Sequence, residues 1–167
     1  MEGVCIMAGW GSCDLRQLKE FQKRIEKLQK EQDKFCEECA RYLAARLLAK
    51  VIKRTPVGTS KTKGYTGGTL RRGWTAQSDG SGNGSSGGGS AASYAQSLKV
   101  HHYGEHFVIE IINPVYYAPY VEFGHRTADH KGWVPGQFML TISERELQNQ
   151  APRLLEKKLA DYLKGVL

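Results

Sequence analysis

Long apolar runs are missing from this 167-residue sequence. No stretch approaches the roughly 20 apolar residues that a bilayer-spanning helix needs, so no membrane partner is expected. Acidic charge is thin as well. Asp and Glu number 17 against 24 Lys and Arg, which leaves a formal net charge of +7. Such an excess permits contact with nucleic acid, anionic lipid or an acidic protein without choosing among them. Cysteine is scarce: Cys5, Cys13, Cys36 and Cys39 are the whole complement. The first ten residues lack the basic start and apolar run of a secretion signal. Synthesis and retention in the cytosol are therefore expected, with reduced thiols rather than a disulfide framework. The phosphate-loop spacing is absent, and so are the metalloprotease and histidine-nuclease spacings. The expectation is a protein that is not an enzyme and has no catalytic residue, bound metal or cofactor.

The hydrophobic fraction, 40%, and the charged fraction, 25%, suit a globular domain. Residues 1–13 read as an irregular arm, and residues 14–167 as a single domain. Asp14 has the position of a helix N-cap, with Gln17 completing a capping box. Beyond it Leu18, Phe21, Ile25, Leu28, Phe35, Cys39 and Tyr42 recur at spacings of three and four, interrupted only by Gln32. That pattern is one apolar stripe on a helix. It broadens through Leu43, Leu47, Leu48, Val51 and Ile52, and Pro56 ends it. Continuous to Arg54, the helix would measure about 60 Å, longer than a compact domain of this size. A break between Gln32 and Phe35 is expected, or a projection towards a neighbouring subunit.

Leu70 to Gln77 reads as a strand packed through Trp74. Ser78 to Ser93, rich in glycine and serine, reads as a flexible linker or a long hairpin loop. Tyr94 to Tyr103 and His106 to Ile112 read as strands joined through Gly104 and Glu105. Tyr116 to Phe123 reads as a short helix ending at Gly124. The C-terminal helical region carries Phe138, Ile142 and Leu147, and Pro152 is expected to open its second helix. Helix, sheet, helix is an α+β order. The expected domain has a long N-terminal helix, a small antiparallel sheet with a Gly/Ser-rich hairpin loop, and a C-terminal helix packed on the sheet.

Few residues suggest chemistry. Cys36-x-x-Cys39 lies inside a helical pattern and lacks the further ligands of a zinc site, so buried thiols are expected. His102, His106, His125 and Asp129 could be drawn together as the site of a metal-dependent hydrolase, but their spacing matches no known metal motif. Lys50, Lys53, Arg54, Lys61, Lys63, Arg71 and Arg72 meet no acidic residue between them. They support an alternative reading as a basic nucleic-acid-binding protein. Tyr116, Tyr117, Tyr120, Phe123 and Trp133 crowd a short, proline-flanked segment. Amphipathic rings of this kind suit a subunit interface or a core.

Three segments carry a resemblance. Thr55-Pro56-Val57-Gly58-Thr59, followed by Gly68-Thr69-Leu70-Arg71-Arg72-Gly73-Trp74, resembles the signature T-P-V-D-T-G-x-L-R-x-S-W. Tyr117 to His125 resembles Y-A-x-Y-V-E-F-G-T, and Gly132 to Met139 resembles P-x-x-F-M/L. These signatures belong to a small tail-component family of long-tailed phages, whose members are head–tail joining, neck or tail-completion proteins. Gly58 stands where the family often has Asp, and residues 61–67 and the Gly/Ser tract look like insertions. The resemblance implies an α+β structural subunit in the virion, at the head–tail junction. It would form a homo-oligomeric ring, a hexamer, between head-closure or connector proteins and tail-tube or terminator proteins, with transient contact with passing phage DNA. It further implies that Pro56, Leu70, Arg71, Trp74, Tyr117, Tyr120, Glu122, Phe123, Gly124, Pro135 and Phe138 make the subunit interface or the fold that holds it. Lys61, Lys63 and Arg72 would supply basic loop contacts.

Overall fold

The first helix, α1 (Arg16–Arg54), runs unbroken for 39 residues, about 58 Å at 1.5 Å per residue. The expected break at Gln32 is not there. The segment holds no Gly and no Pro, and an exposed Gln is a good helix former, so nothing interrupts the backbone. The alternative, a projecting helix, is what forms. In the computed structural model, which describes residues 15–58, 67–76 and 90–166, the helix starts after Leu15 with no side-chain cap. The Asp14 cap, the N-terminal arm, Lys61 and Lys63 lie outside the described residues. At the other end Thr55 is extended (ψ 124°), the conformation that the following Pro56 requires.

The remaining elements are α2 (Thr69–Gly73), α3 (Ala91–Ser97), β1 (His101–Tyr103), β2 (His106–Val108), α4 (Ala118–Phe123), β3 (Gly124–Arg126), β4 (Trp133–Pro135) and α5 (Met139–Val166). The class is α+β. Among the described residues its sheet content is two separate antiparallel pairs, β1 with β2 and β3 with β4.

Several expected strands are corrected. Residues 70–73 are helical, because Leu70 and Trp74 stand at i and i+4 and bury one helical face. Gln77 lies outside the described residues. The segment from Tyr94 begins as helix α3, where the Ser90 side chain accepts from the Ser93 N–H at 3.1 Å, a serine cap ahead of two alanines. Only His101–Tyr103 of the expected strand remains. Its partner stops at Val108, since β1 offers nothing beyond His101 to pair with. Ile109 and Ile111 pack instead against the core. The elements described on either side of the Gly/Ser tract are therefore the helices α2 and α3, and residues 78–89 lie outside the described residues.

The C-terminal helix α5 is a single element of 28 residues with Pro152 inside it, so Pro152 opens no second helix. Pro152 and Gln148 are both exposed, and solvent can take the Gln148 carbonyl that the missing N–H leaves free. Nor does α5 lie on a sheet. It packs antiparallel along α1. Glu146 meets Lys50 at 2.9 Å and Arg54 at 2.6 Å at one end, and Phe35 stacks on Tyr162 with centroids 4.5 Å apart at the other. The core gathers Leu48 and Val51 of α1, Leu70 and Trp74, Ala95, Ala118 and Met139. Each fully buried Leu or Val side chain contributes about 1.5–3 kcal/mol.

Candidate interaction surface

Two hydrogen-bonded clasps hold the signature segments. In the first, Thr55 is fully buried where α1 ends. Its hydroxyl donates to the Val51 carbonyl (2.7 Å) and accepts from the Trp74 indole N–H (2.8 Å). The Thr55 carbonyl accepts from Arg71 twice, Nε at 3.1 Å and Nη2 at 2.6 Å. Arg71 thereby satisfies a carbonyl that the helix end would leave orphaned. Asn113 Nδ2 donates to the Leu70 carbonyl at 2.9 Å. Any Cβ on Gly73 would strike the Asn113 side chain, so this close approach demands glycine. Leu70, Arg71 and Trp74 therefore hold the fold, and Pro56 sits exposed beside them.

In the second clasp the buried Glu122 of α4 caps α5. One carboxylate oxygen accepts from the Leu140 N–H (3.0 Å), and the other accepts from the Thr141 N–H (2.9 Å) and hydroxyl (2.8 Å). These are free donors of the first turn of α5, where the helix dipole also favours a negative charge. The Gln137 N–H donates to the Val121 carbonyl at 2.8 Å and the Phe138 N–H to the Glu122 carbonyl at 3.0 Å. The second and third signatures thus form one knot. Gly124 sits at φ +88°, and a Cβ there would lie 2.5 Å from the Val134 carbonyl. Its left-handed backbone turns the chain from α4 into β3.

What the clasps hold outward is aromatic. Tyr116 is 84% exposed, and its ring meets Tyr117 edge-on. Tyr120 and Phe123, one helical turn apart on α4, are both exposed, as are Trp133 (60%), Val134, Phe138 and Ile142. The β3–β4 register sets Trp133 across from Arg126, and the Tyr120 ring lies edge-on to His125. Monomeric proteins rarely leave a contiguous apolar patch of more than a few hundred Å² uncovered. The contrast of Trp133 with Trp74, 3% exposed, separates a surface ring from a core one.

The candidate residues thus divide. Leu70, Arg71, Trp74, Glu122 and Gly124 build the scaffold, and Tyr117 is half-buried beside it. Tyr120, Phe123, Pro135 and Phe138 face outward. Thr55, Asn113, Gly73 and Thr141 complete the clasps without standing out in the sequence as site residues. Thr55 and Gly73 stand inside the first signature segment, Thr55 also directly before Pro56, whereas Asn113 and Thr141 lie outside all three.

The competing constellations come apart. His102 pairs with Glu37 at 3.0 Å, while His125 Nδ1 approaches the Tyr120 carbonyl at 3.5 Å. Asp129 takes bonds from the Thr127 hydroxyl and the Lys131 N–H, which hold its carboxyl below the usual carboxylate range. Among the described residues no three of His, Cys, Asp and Glu stand together as a metal site. Cys36 and Cys39 are half-buried free thiols, and burial pushes the Cys39 thiol up, away from the reactive thiolate. Of the basic run, Lys50 and Arg54 are tied to Glu146, Arg71 to Thr55, and Arg72 to the Gly67 carbonyl at 3.0 Å. Among the described residues no helix is long and apolar enough to cross a membrane.

A model of the HK97-gp10-like family, described as a bacteriophage HK97-gp10 tail-component, matches residues 19–124. The match takes in α1 from Lys19 onward, the first clasp and the second signature through Gly124. No curated protein and no solved structure matches the chain.

Proposed function

The chain belongs to the HK97-gp10-like family of bacteriophage tail components, and from that premise we propose that this structural tail protein forms a hexameric ring at the head–tail junction. In this reading it completes the neck or tail, between a head-closure or connector protein on one side and a tail-tube or terminator protein on the other. The ring performs no catalytic step. Phage DNA passes through it with only transient contact, since tight binding would hinder passage.

The observation that carries the reading is the outward aromatic surface of Tyr116, Tyr120, Phe123 and Trp133. A whole aromatic ring buries about 200 Å²; with 56–84% of each still exposed, the four side chains offer about 500 Å² of the roughly 800 Å² per partner that a stable interface buries. Their scaffold satisfies its own hydrogen bonds, so the surface is presented ready-made and loses little entropy on binding.

The test is a labelled copy of the chain located on assembled virions by electron microscopy, beside the mass of the purified protein by light scattering. Label at the neck and a six-copy mass support the proposal. Label at the distal tail tip would sink the junction assignment. Tyr120→Ala with Phe123→Ala is expected to leave the fold intact and yield heads and tails that fail to join. Tight, salt-sensitive binding of a DNA duplex would instead favour the nucleic-acid reading.

A further inference from the structure

The apolar stripe of α1 is covered along only part of its length. Phe35 stacks on Tyr162 near the end of α5, the Tyr162 hydroxyl donates to Glu31 at 3.4 Å, and α1 continues some fifteen residues further toward its N-terminus. Leu18, Phe21 and Ile25 are exposed there in one row. The same segment, residues 16–28, carries Arg16, Lys19, Lys23, Arg24 and Lys27 against Glu20 and Glu26. It is a basic amphipathic helix with an uncovered apolar face.

A second uncovered feature lies beside the covered half. A groove of about 740 Å³ opens between α1, the β1–β2 hairpin and α5. Phe35, Leu43, Phe107, Val108, Leu155 and Leu159 line it. Its charged liners are Glu105 and Glu156; His106 also borders it, and no Lys or Arg does. In a chain of net charge +7 this is an acidic rim around an apolar floor.

We propose that residues 16–28 of α1 in one copy dock in this groove on a second copy. Shape and charge both fit. A helix enters an apolar groove through anchors at i, i+3 and i+7, the spacing of Leu18, Phe21 and Ile25. The basic helix meets the acidic rim, which favours encounter and register. The occupant is not the chain's own stripe. Ile25 and Phe35 stand on one unbroken helix, about 15 Å apart along its axis, and a rigid rod does not fold back on itself. Stripe and groove are different surfaces, so the contact is heterologous and propagates from copy to copy. Its closure into a ring rests on the reading of the chain as a ring subunit; the contact itself does not.

The groove holds its own reporters, Cys36 and Cys39. Two differently tagged forms are mixed, both with Cys5→Ser and Cys13→Ser. One carries Phe21→Cys, Cys36→Ser and Cys39→Ser; the other keeps Phe21, Cys36 and Cys39. A short bismaleimide is expected to give a product bearing both tags. Phe21→Glu, made at an exposed position, is expected to abolish assembly measured by light scattering. Glu105→Lys with Glu156→Lys is expected to weaken it on the order of tenfold. A multi-copy mass with no mixed product, unmoved by Phe21→Glu, overturns this contact and leaves the ring standing. A mixed product from copies that never label the virion neck upholds the contact and removes the ring's assigned place. Monomer mass without mixed product overturns the contact and leaves the ring to the labelling test.

Discussion

Residues 16–28 and residues 35–54 belong to one helix, share one apolar stripe and meet opposite fates. In the second segment Leu48 and Val51 are fully buried beneath neighbouring elements, while in the first Leu18 is 62% exposed. The periodicity is equally good in both. Apolar spacing reveals which face of a helix wants cover; what supplies the cover is decided by where the other elements end. The same contrast recurs between Trp74 in its clasp and Trp133 on the hairpin.

The comparison breaks hardest in the covered half. Leu48→Ala removes a fully buried side chain and is expected to destabilise the fold by about 2–5 kcal/mol, read as a lowered denaturant midpoint at unchanged slope. A loss below about 1 kcal/mol would mean that the covered half is packed no better than the exposed one. Glu122→Gln comes next. The amide NH2 cannot accept, so one of the Leu140 or Thr141 donors loses its partner. The expected cost is about 1–3 kcal/mol, with the aromatic surface loosened because the same knot holds it. Rescue by Glu122→Asp would show that charge alone, without reach, suffices.

Much of the scaffold is legible in the sequence. The helix of α1, its end at Pro56, the short α4 and the Gly124 turn follow from spacing and from two residues with special backbones. The first two signatures, which fall within the matched residues 19–124, also point to the right family. Residues 70–76 and 94–100 read wrongly as strands because Leu70, Trp74 and Tyr94 fit a strand or a helix equally well over so short a span. The place of α5 is hidden for a different reason: its apolar positions state that it packs, and only the tertiary fold states that α1 is the partner. The interface candidates are mixed in kind. A Glu amid aromatics looks exposed, and only the position of the α5 N-terminus shows that Glu122 is buried as a cap.

A smaller effect belongs to the far end of the covered half, where Glu146 ties α5 to the end of α1. The hydrogen bond from Lys50, and then the nearby Arg54 charge, hold the Glu146 carboxyl below the ordinary glutamate value. A depressed folded value stabilises the fold above the unfolded value of about 4.3 and loses that contribution as pH falls through the folded value. Wild type and Glu146→Gln are therefore expected to differ in denaturation midpoint at neutral pH and to converge as pH falls from the unfolded glutamate value through the lower folded one. The difference is small and shrinks in salt, because the pair is solvent-accessible. A gap that widens in acid would reverse the sign and reject the ion pair as a clamp.

The smallest effect expected on folding is the most informative. Leu18→Ala removes an exposed side chain from a helix in which Ala is the better former, so the single copy is expected to change by less than about 0.5 kcal/mol. That holds only where the protein is dilute enough to be monomeric. Once copies associate, anything that binds the folded state alone adds to apparent stability by mass action. Wild type should then gain stability with concentration, and Leu18→Ala should gain less. Denaturation at two concentrations thus separates a side chain that supports its own fold from one that serves a neighbour. A loss that is large and independent of concentration would show Leu18 covered within its own chain, and the two halves of α1 would no longer differ in kind.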